Sequence, residues 1–213
     1  MRYIILGTIF LLASAVIVTA QELKPIQLPA PDTSGGKPLM QALQDRHSTR
    51  DFSTDTLSLP VLSNLVWAAC GVNRTGEGKR TAPSAMNKQE IDLYLATANG
   101  LYLYNPTKHT LQHLLPADIR EKTGMQDFVK DVPLNIVYVA DYDKMSGSSE
   151  DEKTPYAYAD AAFMAENVYL FCACEGLGTV VRGSIKRPEL EKAMNLRANQ
   201  HIILAQSVGY PKK

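Results

Sequence analysis

The sequence has no net charge and few cysteines, and each shortage argues against a class of protein. Its 22 basic and 22 acidic side chains cancel, so charge gives no reason to expect binding to nucleic acid or to an anionic membrane surface. Cysteine occurs only at Cys70, Cys172 and Cys174. The last two are two residues apart in a helical pattern and point to different faces, which disfavours a shared metal or an unstrained disulfide. We expect small buried hydrophobic side chains.

Long hydrophobic runs are also scarce, and the clearest one lies at the N-terminus. Arg2 precedes an apolar run that reaches Val18, and Val18–Ala20 offers small residues where a signal peptidase reads. This pattern predicts a signal peptide over residues 1–20 and an exported, periplasmic mature chain without membrane contact. A retained membrane anchor and an ordinary buried segment are the alternatives.

The chain after the apolar run is long enough for one domain with a sizeable core. Residues 21–37 contain three prolines and a Ser-Gly-Gly stretch, which predicts a linker or an extended arm outside the core. The domain itself is expected over residues 38–213.

Hydrophobic spacing in the domain predicts a mixed α+β fold, without the strict alternation of a doubly wound sheet. Helices are predicted at 39–46, 59–69, 156–175 and 188–194. Strands are predicted at 91–96, 101–104, 135–140, 179–181 and 202–207. Asn99–Gly100 is a hairpin signal, and residues 141–155 resemble an exposed loop. The long helix at 156–175 is apolar on most sides, which is typical of a core helix or a subunit interface.

The first candidate site segment directly follows the first predicted helix. Alternate residues of an extended segment project to one side, so Arg46, Ser48 and Arg50 can point together. Two guanidinium groups and a hydroxyl suit a phosphate or another polyanionic ligand. The alternative is a solvated turn in which the arginines pair with Asp45 and Asp51.

Two further segments combine small residues with groups that could contact a ligand. Pro83–Gln89 lies on a predicted loop, and its amide side chains can bind the donor and acceptor edges of a heterocycle. Gly176–Gly183 follows the long helix, and its glycines permit positive φ and close approach of backbone to a ligand. It is not a dinucleotide fingerprint, because its glycines do not lead from a strand into a helix. A plain turn and a purely structural role are the respective alternatives.

Taken in order, these segments resemble the signatures of the nitroreductase family. The matches are R-x-S-x-R-x-F at Arg46–Phe52, P-S-x-x-N-x-Q at Pro83–Gln89, G-L-G at Gly176–Gly178 and V-G-Y-P at Val208–Pro211. The resemblance implies an α+β sandwich whose mostly antiparallel sheet is flanked by helices, and a homodimer with FMN at the subunit interface. It also implies an FMN-dependent oxidoreductase that transfers hydride through flavin N5 in a ping-pong cycle. A nitroaromatic, a quinone or a similar small molecule would be the acceptor.

The same resemblance implies roles for residues of the first segment. Arg46 and Ser48 would hold the phosphate and the ribityl chain of FMN, and His47 would line the same cleft. Arg50 would reach the pyrimidine edge, where its charge favours the reduced flavin. Basic residues after the V-G-Y-P turn complete the phosphate site in many members, and here only Lys212–Lys213 could do so.

For the other two segments the resemblance implies contacts with the flavin ring. The partner subunit would cover the flavin edge with four residues of the second segment, Pro83, Ser84, Ala85 and Asn87. The backbone around Val181, Arg182 and Gly183 would lie near N5. The chain departs from the family at Glu90–Ile91, where an aromatic residue or a proline is usual, and this difference predicts an altered substrate pocket.

The resemblance does not determine which electron donor reduces the flavin, or whether the protein catalyses a reaction at all. NAD(P)H is the usual donor, but export conflicts with it because reduced nicotinamides are cytoplasmic. Val180–Gly183 also resembles the branch related to azoline-oxidising dehydrogenases, in which the substrate reduces the flavin. An exported FMN-binding module without turnover and a structural protein that has lost FMN are the remaining alternatives.

Overall fold

The computed structural model describes residues 23–212, so the predicted signal peptide and its cleavage site lie outside the described residues. The α-helices of this range are α1 Leu39–Asp45, α2 Leu59–Cys70, α3 Glu150–Glu175 and α4 Arg187–Ala193. Its strands are β1 Ile26–Gln27, β2 Val72–Arg74, β3 Lys79–Arg80, β4 Ile91–Thr97, β5 Gly100–Asn105, β6 Thr110–Leu115, β7 Leu134–Asp141, β8 Gly178–Arg182 and β9 Gln200–Gly209. Short 3₁₀ turns occur at Ala85–Asn87, Arg120–Thr123, Asp127–Lys130 and Tyr142–Lys144. The predicted α+β class is confirmed. None of the helices in residues 23–212 has the length and apolar character needed to cross a bilayer.

Seven of the strands form one antiparallel sheet in the order β1-β6-β5-β4-β7-β9-β8. The predicted hairpin is present between β4 and β5, where Thr97 pairs with Gly100 across a two-residue turn. Gly100 has φ 129°, and a Cβ there would lie 2.1 Å from the carbonyl oxygen of Leu115. Only glycine fits at this position.

The sheet is covered on both faces, as the alternation along β7 shows. Ile136 and Tyr138 face one hydrophobic cluster, together with buried residues of α2 and α3. Val137 and Val139 face the other cluster, which includes residues of α4. Successive side chains of a strand point to opposite faces, so a strand buried on both faces reads as a continuous apolar run. The predicted sandwich of helices around a central sheet is therefore present.

Helix α3 begins six residues earlier than its predicted start, so the interpretation of residues 141–155 as a loop is wrong for its C-terminal part. Ser149 precedes the helix, and its backbone N–H donates to the Glu152 carboxylate over 2.8 Å. The acidic residues that suggested a loop occupy the first turn, where carboxylates are favoured by the helix dipole. Pro155 stands within the helix close to its start. Gly176 ends the helix at φ 68°, as predicted.

The extended arm before α1 is not wholly outside the core. Ile26–Gln27 pairs with β6, and Leu28 is only 3% exposed within the main hydrophobic cluster. The carbonyl oxygen of Pro29 accepts a 2.6 Å hydrogen bond from the Ser63 hydroxyl of α2. The prediction that this segment lies outside the core is therefore wrong at Leu28, because a strand pair and a buried hydrogen bond hold the arm.

The cysteines are all free thiols. Cys70 and Cys172 are buried, as predicted, and burial raises the pKa of the Cys70 thiol to about 12. Cys174 is only half-buried, and its Sγ accepts the backbone N–H of Lys37 at 3.4 Å.

Candidate functional site

The first and third candidate segments lie side by side at the β8 edge of the sheet. The Thr49 N–H donates to the carbonyl oxygen of Thr179 over 2.9 Å. A Cβ on Gly178 would lie 2.8 Å from Cγ2 of Thr49, a distance that side chains do not tolerate. The glycine after α3 therefore lets the Arg46–Arg50 stretch pack against the strand, and two segments far apart in sequence meet here.

A side chain of α3 that sequence reasoning missed, Tyr169, joins these two segments. Its hydroxyl lies 2.9 Å from the Ser48 hydroxyl and accepts the backbone N–H of Val181 over 3.0 Å. The Arg46 guanidinium lies over the tyrosine ring, 5.3 Å from its centroid, within the range of a cation–π contact. Tyr169 stands two helical turns before Gly176, and this spacing was the available signal that it faces the glycine segment.

The two arginines of the first segment do not form ion pairs with the nearby carboxylates. Asp45 instead accepts a 2.7 Å hydrogen bond from the Lys37 ammonium. No guanidinium of the described residues lies within 4.0 Å of Asp51. The alternative in which Asp45 and Asp51 pair with the two arginines is therefore wrong. Arg46 is half-buried and Arg50 is exposed, and neither forms an ion pair within residues 23–212. Two guanidinium groups that have no ion-pair partner among the described residues suit an anionic ligand.

His47 and Ser48 of the first segment are also exposed. His47 holds its ring through Nδ1, which lies 2.7 Å from the Asp45 carbonyl oxygen. Its Nε2 has no hydrogen-bond partner among the described residues. His47 is thus oriented by the chain and presents one ring nitrogen outward.

The C-terminal V-G-Y-P turn lies beside the first segment. The Ser53 N–H donates to the Tyr210 carbonyl oxygen over 2.9 Å, and the Lys212 N–H donates to the Asp51 carbonyl oxygen over 3.1 Å. The Lys212 ammonium is 4.0 Å from the Asp51 carboxylate and largely exposed. Lys212 is therefore close to the segment in which a phosphate site was predicted, whereas Lys213 lies outside the described residues.

Arg182 contributes its backbone, but not its side chain, to this edge. The residue is only 4% exposed, and its guanidinium donates inward, to the Ser207 hydroxyl at 3.1 Å, the Thr123 carbonyl oxygen at 2.8 Å and the Asn135 amide oxygen at 2.9 Å. Burial lowers the pKa of this group to about 10. A cofactor contact at Arg182 can involve only its main chain. At Gly183 nothing lies within 4 Å of a hypothetical Cβ, so a ligand can approach the backbone there.

The second candidate segment is not brought to the first within one chain. The Ala85 N–H donates to the Asp160 carboxylate of α3 over 2.8 Å, whereas the first segment contacts α3 at Tyr169. Nine residues of helix separate these anchors by about 14 Å along the axis and place them on opposite sides of the helix. The two candidate segments therefore contact α3 at separate places within one chain.

The second segment has an unusual backbone conformation. Met86, Asn87 and Gln89 have φ values of 52°, 54° and 50°, which are unfavourable for residues with a Cβ. Internal hydrogen bonds support this geometry, since the Ser84 hydroxyl accepts the Gln89 N–H and the Gln89 amide donates to the Gly78 carbonyl oxygen, both over 3.0 Å. Met86 is 64% exposed, so the loop projects from the surface.

The apolar surface of α1 and α3 denotes the large exposed apolar side chains on these two helices, which pack against each other. They are Leu39, Met40 and Leu43 on α1 and Tyr158 and Phe163 on α3. The opposite side of α3 packs into the core through small residues and Met164. The long helix therefore packs into the core, as predicted for one alternative, and also carries exposed aromatic side chains in the single chain.

Comparisons with known proteins give a consistent result. The sequence profile of the Nitroreductase family matches residues 43–210. A crystal structure of a provisionally named nitroreductase from Ralstonia eutropha JMP134 is 43% identical, with a TM-score of 0.86 and coverage of 91% of this chain and 93% of that chain. A provisionally named nitroreductase of Methanocaldococcus jannaschii is 26% identical over 181 residues, which are 80% of this chain and 90% of that protein.

A third relative is known with a ligand. The crystal structure of a provisionally named nitroreductase from Desulfovibrio desulfuricans in complex with FMN is 19% identical. Its TM-score is 0.61, and the match covers 83% of this chain and 88% of that chain. At this identity the likeness establishes the fold that the two proteins share.

Proposed function

This chain belongs to the nitroreductase family, and we propose that it is an FMN-dependent oxidoreductase that works as a homodimer. The observation that carries the proposal is the group formed by Arg46, Ser48 and Tyr169 beside β8, with Arg50 close in sequence. It combines two guanidiniums without ion pairs, two hydroxyls and an accessible backbone edge. FMN bound in the Desulfovibrio desulfuricans relative supports the choice of cofactor.

The charges of the first segment fit the phosphate end of FMN. An ion pair with a neighbouring carboxylate would weaken an arginine as a phosphate ligand, and Arg46 and Arg50 have none among the described residues. Arg46 would bind the phosphate, with Ser48 beside it, and Arg50 would place its charge at the pyrimidine edge. Lys212 lies close enough to this segment to add a further positive charge.

The edge of the sheet fits the ring end of the cofactor. When bound, FMN supplies the hydride-transfer chemistry, and the protein supplies orientation and electrostatics. The Tyr169 hydroxyl accepts the Val181 N–H and so fixes the strand edge. The main chain then continues past Arg182 to Gly183, where a Cβ would meet no neighbour. This open stretch of backbone is where we place the reactive edge of the ring.

The separation of the first segment from the 83–87 loop supports a dimer, in which each would be one half-site of a composite FMN site. Pro83, Ser84, Ala85 and Asn87 cannot reach the first segment of their own chain, because α3 lies between them. A second subunit packed against the apolar surface of α1 and α3 would bury Leu39, Met40 and Phe163. It would also bring its own 83–87 loop to the first segment. Two equivalent composite sites per dimer would result.

The reaction that we propose is a ping-pong transfer, in which a donor leaves before a small acceptor binds in the same cleft. Nitroaromatics and quinones are the acceptors that we would test first. We further propose that residues 1–20 are a signal peptide and that the mature chain is exported. NAD(P)H remains one candidate donor, and a substrate that reduces the flavin itself is the other.

The experiment that tests this proposal is an absorbance spectrum of the purified chain from Gln21 onward, before and after incubation with FMN and gel filtration. We expect a visible flavin band that remains with the protein. Anaerobic mixing with NADH, NADPH and candidate substrates would then identify the donor through bleaching of this band. A protein that stays colourless after incubation would overturn the proposal. A bound flavin that no donor reduces would favour a binding module without turnover.

A further inference from the structure

The departure from the family pattern at Glu90 places an acidic side chain inside the protein. Glu90 follows the 83–89 loop directly, precedes β4 and is fully buried. Neither carboxylate oxygen has a hydrogen-bond partner among the described residues. A buried carboxylate without a partner is strongly unfavourable in its ionised form. Some feature of its surroundings must therefore keep Glu90 neutral or compensate its charge.

A second buried carboxyl group acts on Glu90 from α3. Asp160 is 2% exposed, and its Oδ2 accepts the N–H of Ala85 over 2.8 Å. Burial is the largest of the effects that together raise the pKa of Glu90 to about 7; Asp160 acts in the same direction, whereas the Glu90 backbone and Lys144 act against it. Glu90 therefore retains its proton up to about neutral pH.

The cations nearby are engaged elsewhere. Lys144 directs its ammonium to Asp92, at 2.6 Å. The Arg80 guanidinium reaches the Ile91 carbonyl oxygen, at 3.5 Å. Among the charged groups of the neighbouring elements, Asp160 on α3 and Lys144 on the 142–144 turn act on Glu90. Arg80 on β3, Asp92 on β4 and Lys144 act on the buried Cys70 thiol at the end of α2. None of them forms an ion pair with Glu90.

The loop attached to this pair depends on its hydrogen bonds. Three of its residues, Met86, Asn87 and Gln89, hold positive φ values, so the free peptide would not favour this conformation. The hydrogen bond from the Ala85 N–H to Asp160 is the one that joins the first turn of the loop to α3. Any change that displaces Asp160 would therefore release strain in the loop.

We propose that Glu90 and Asp160 form a proton-sensitive anchor for the 84–89 loop, in which Glu90 is the group that binds and releases the proton. With the proton present, Glu90 is neutral and Asp160 remains free to accept the Ala85 N–H. When the proton leaves for solvent, two negative charges face each other inside the protein. Their repulsion pushes the carboxyl groups apart, weakens the Ala85 hydrogen bond and loosens the loop. The anchor is independent of the cofactor, and only its effect on FMN rests on the proposed function.

The direct test follows the Ala85 amide by NMR in the full mature chain labelled with ¹⁵N-alanine, from mildly acidic to mildly alkaline pH. The signal is assigned by its loss in Ala85→Ser. We expect the Ala85 amide shift to titrate with a midpoint near neutrality and its hydrogen exchange to accelerate above that midpoint. Glu90→Gln should abolish the titration step, whereas Glu121→Gln, at an exposed site, should retain it. An Ala85 signal without a step, or an equal step in Glu90→Gln, would overturn the anchor.

A second variant keeps the test decisive if Glu90→Gln does not fold. Asp160→Asn leaves an amide oxygen that can accept the Ala85 N–H and removes one of the two charges. It should hold the loop and make the Ala85 step smaller, because an ionised Glu90 then faces no second charge at position 160. A step that persists unchanged in Asp160→Asn would contradict the anchor.

The effect on the cofactor is measured separately, as the rate at which bound FMN leaves the wild-type protein and Glu90→Gln across the same pH range. We expect release to accelerate several-fold above the midpoint in the wild type and to stay flat in Glu90→Gln. A loop that titrates while FMN release stays flat would support the anchor and remove the loop from the flavin site. A loop that titrates in a protein that binds no FMN would support the anchor and overturn the proposed function.

Discussion

Replacing Glu90 with glutamine is expected to change how the free energy of unfolding depends on pH. In the folded protein burial raises the pKa of Glu90 from 4.5 to about 7. Between these two values the folded state binds more protons at this site than the unfolded state does. Stability must therefore fall as the pH rises from about 4.5 to about 7, and the loss persists at higher pH.

The size of this effect follows from the same two pKa values. Each pH unit between them is worth about 1.4 kcal/mol, so the wild-type protein should lose up to about 3 kcal/mol of stability across the window. Glutamine cannot ionise, so the Glu90→Gln variant lacks this contribution at every pH.

The assay is urea unfolding at a series of pH values, followed by the fluorescence of Trp67, the single tryptophan of the chain. All other titrating groups are common to both proteins, so the difference between the two pH profiles isolates Glu90. We expect the stability of Glu90→Gln relative to wild type to increase by about 3 kcal/mol from mildly acidic to mildly alkaline pH. Parallel profiles would refute the reasoning, because they would mean that Glu90 ionises as readily in the folded state as in the unfolded one.

Three further substitutions test the proposed site and assembly. Arg46→Ala should weaken FMN binding at least tenfold in equilibrium dialysis, since a charge-assisted contact is worth about 1.5–3 kcal/mol. The control Lys108→Ala removes an exposed charge elsewhere and should leave FMN binding unchanged. Tyr169→Phe keeps the ring under Arg46 but loses the hydroxyl, so urea unfolding should show a destabilisation of about 1 kcal/mol; an unchanged midpoint would mean that the hydroxyl contacts are not formed in solution. Phe163→Glu places a charge in the apolar surface of α1 and α3 and should convert dimers to monomers in sedimentation velocity, and a dimer that persists would place the interface elsewhere.

The central sheet could be predicted from the sequence, whereas its far edge could not. β7 and β9 are nearly continuous apolar runs because both of their faces are buried, and such runs are readily recognised. β6 mixes polar and apolar residues, and β1 is only two residues long. Their strand conformation depends on pairing with neighbours that lie elsewhere in the sequence, which local composition does not reveal.

The candidate site was predictable as segments but not as contacts. The spacing of Arg46, Ser48 and Arg50 indicated an anion site, and the structure adds that these arginines lack carboxylate partners. Tyr169 was counted as part of an apolar helix, since composition alone does not show where a phenol hydroxyl finds its partner. The inward direction of the Arg182 side chain depends on Asn135 and other acceptors far away in the chain, which the local sequence does not reveal.

Glu90 shows the same limit in a different form. It was recognised as a departure from the family pattern and was interpreted as a change in the substrate pocket. The structure places it at the first buried position before β4, behind the loop, where it faces Asp160. The residue type was informative, but its consequence depended on a neighbour that is 70 residues away in the sequence.

The arrangement of the half-sites on α3 has a thermodynamic consequence for the proposed function. If the first segment of one subunit and the 83–87 loop of the other enclose the same FMN, then cofactor binding stabilises the dimer and dimerisation raises cofactor affinity by the same factor. The Glu90–Asp160 pair holds the loop, which is separate from the segment proposed to bind the phosphate. A change in the pair therefore alters the linkage between FMN binding and dimerisation through the loop alone. A rise in pH through neutrality should then lower FMN affinity and dimer stability together, while the contacts of Arg46 with the phosphate stay unchanged. Loss of FMN affinity at high pH without any weakening of the dimer would mean that the loop covers the flavin without contributing to the interface.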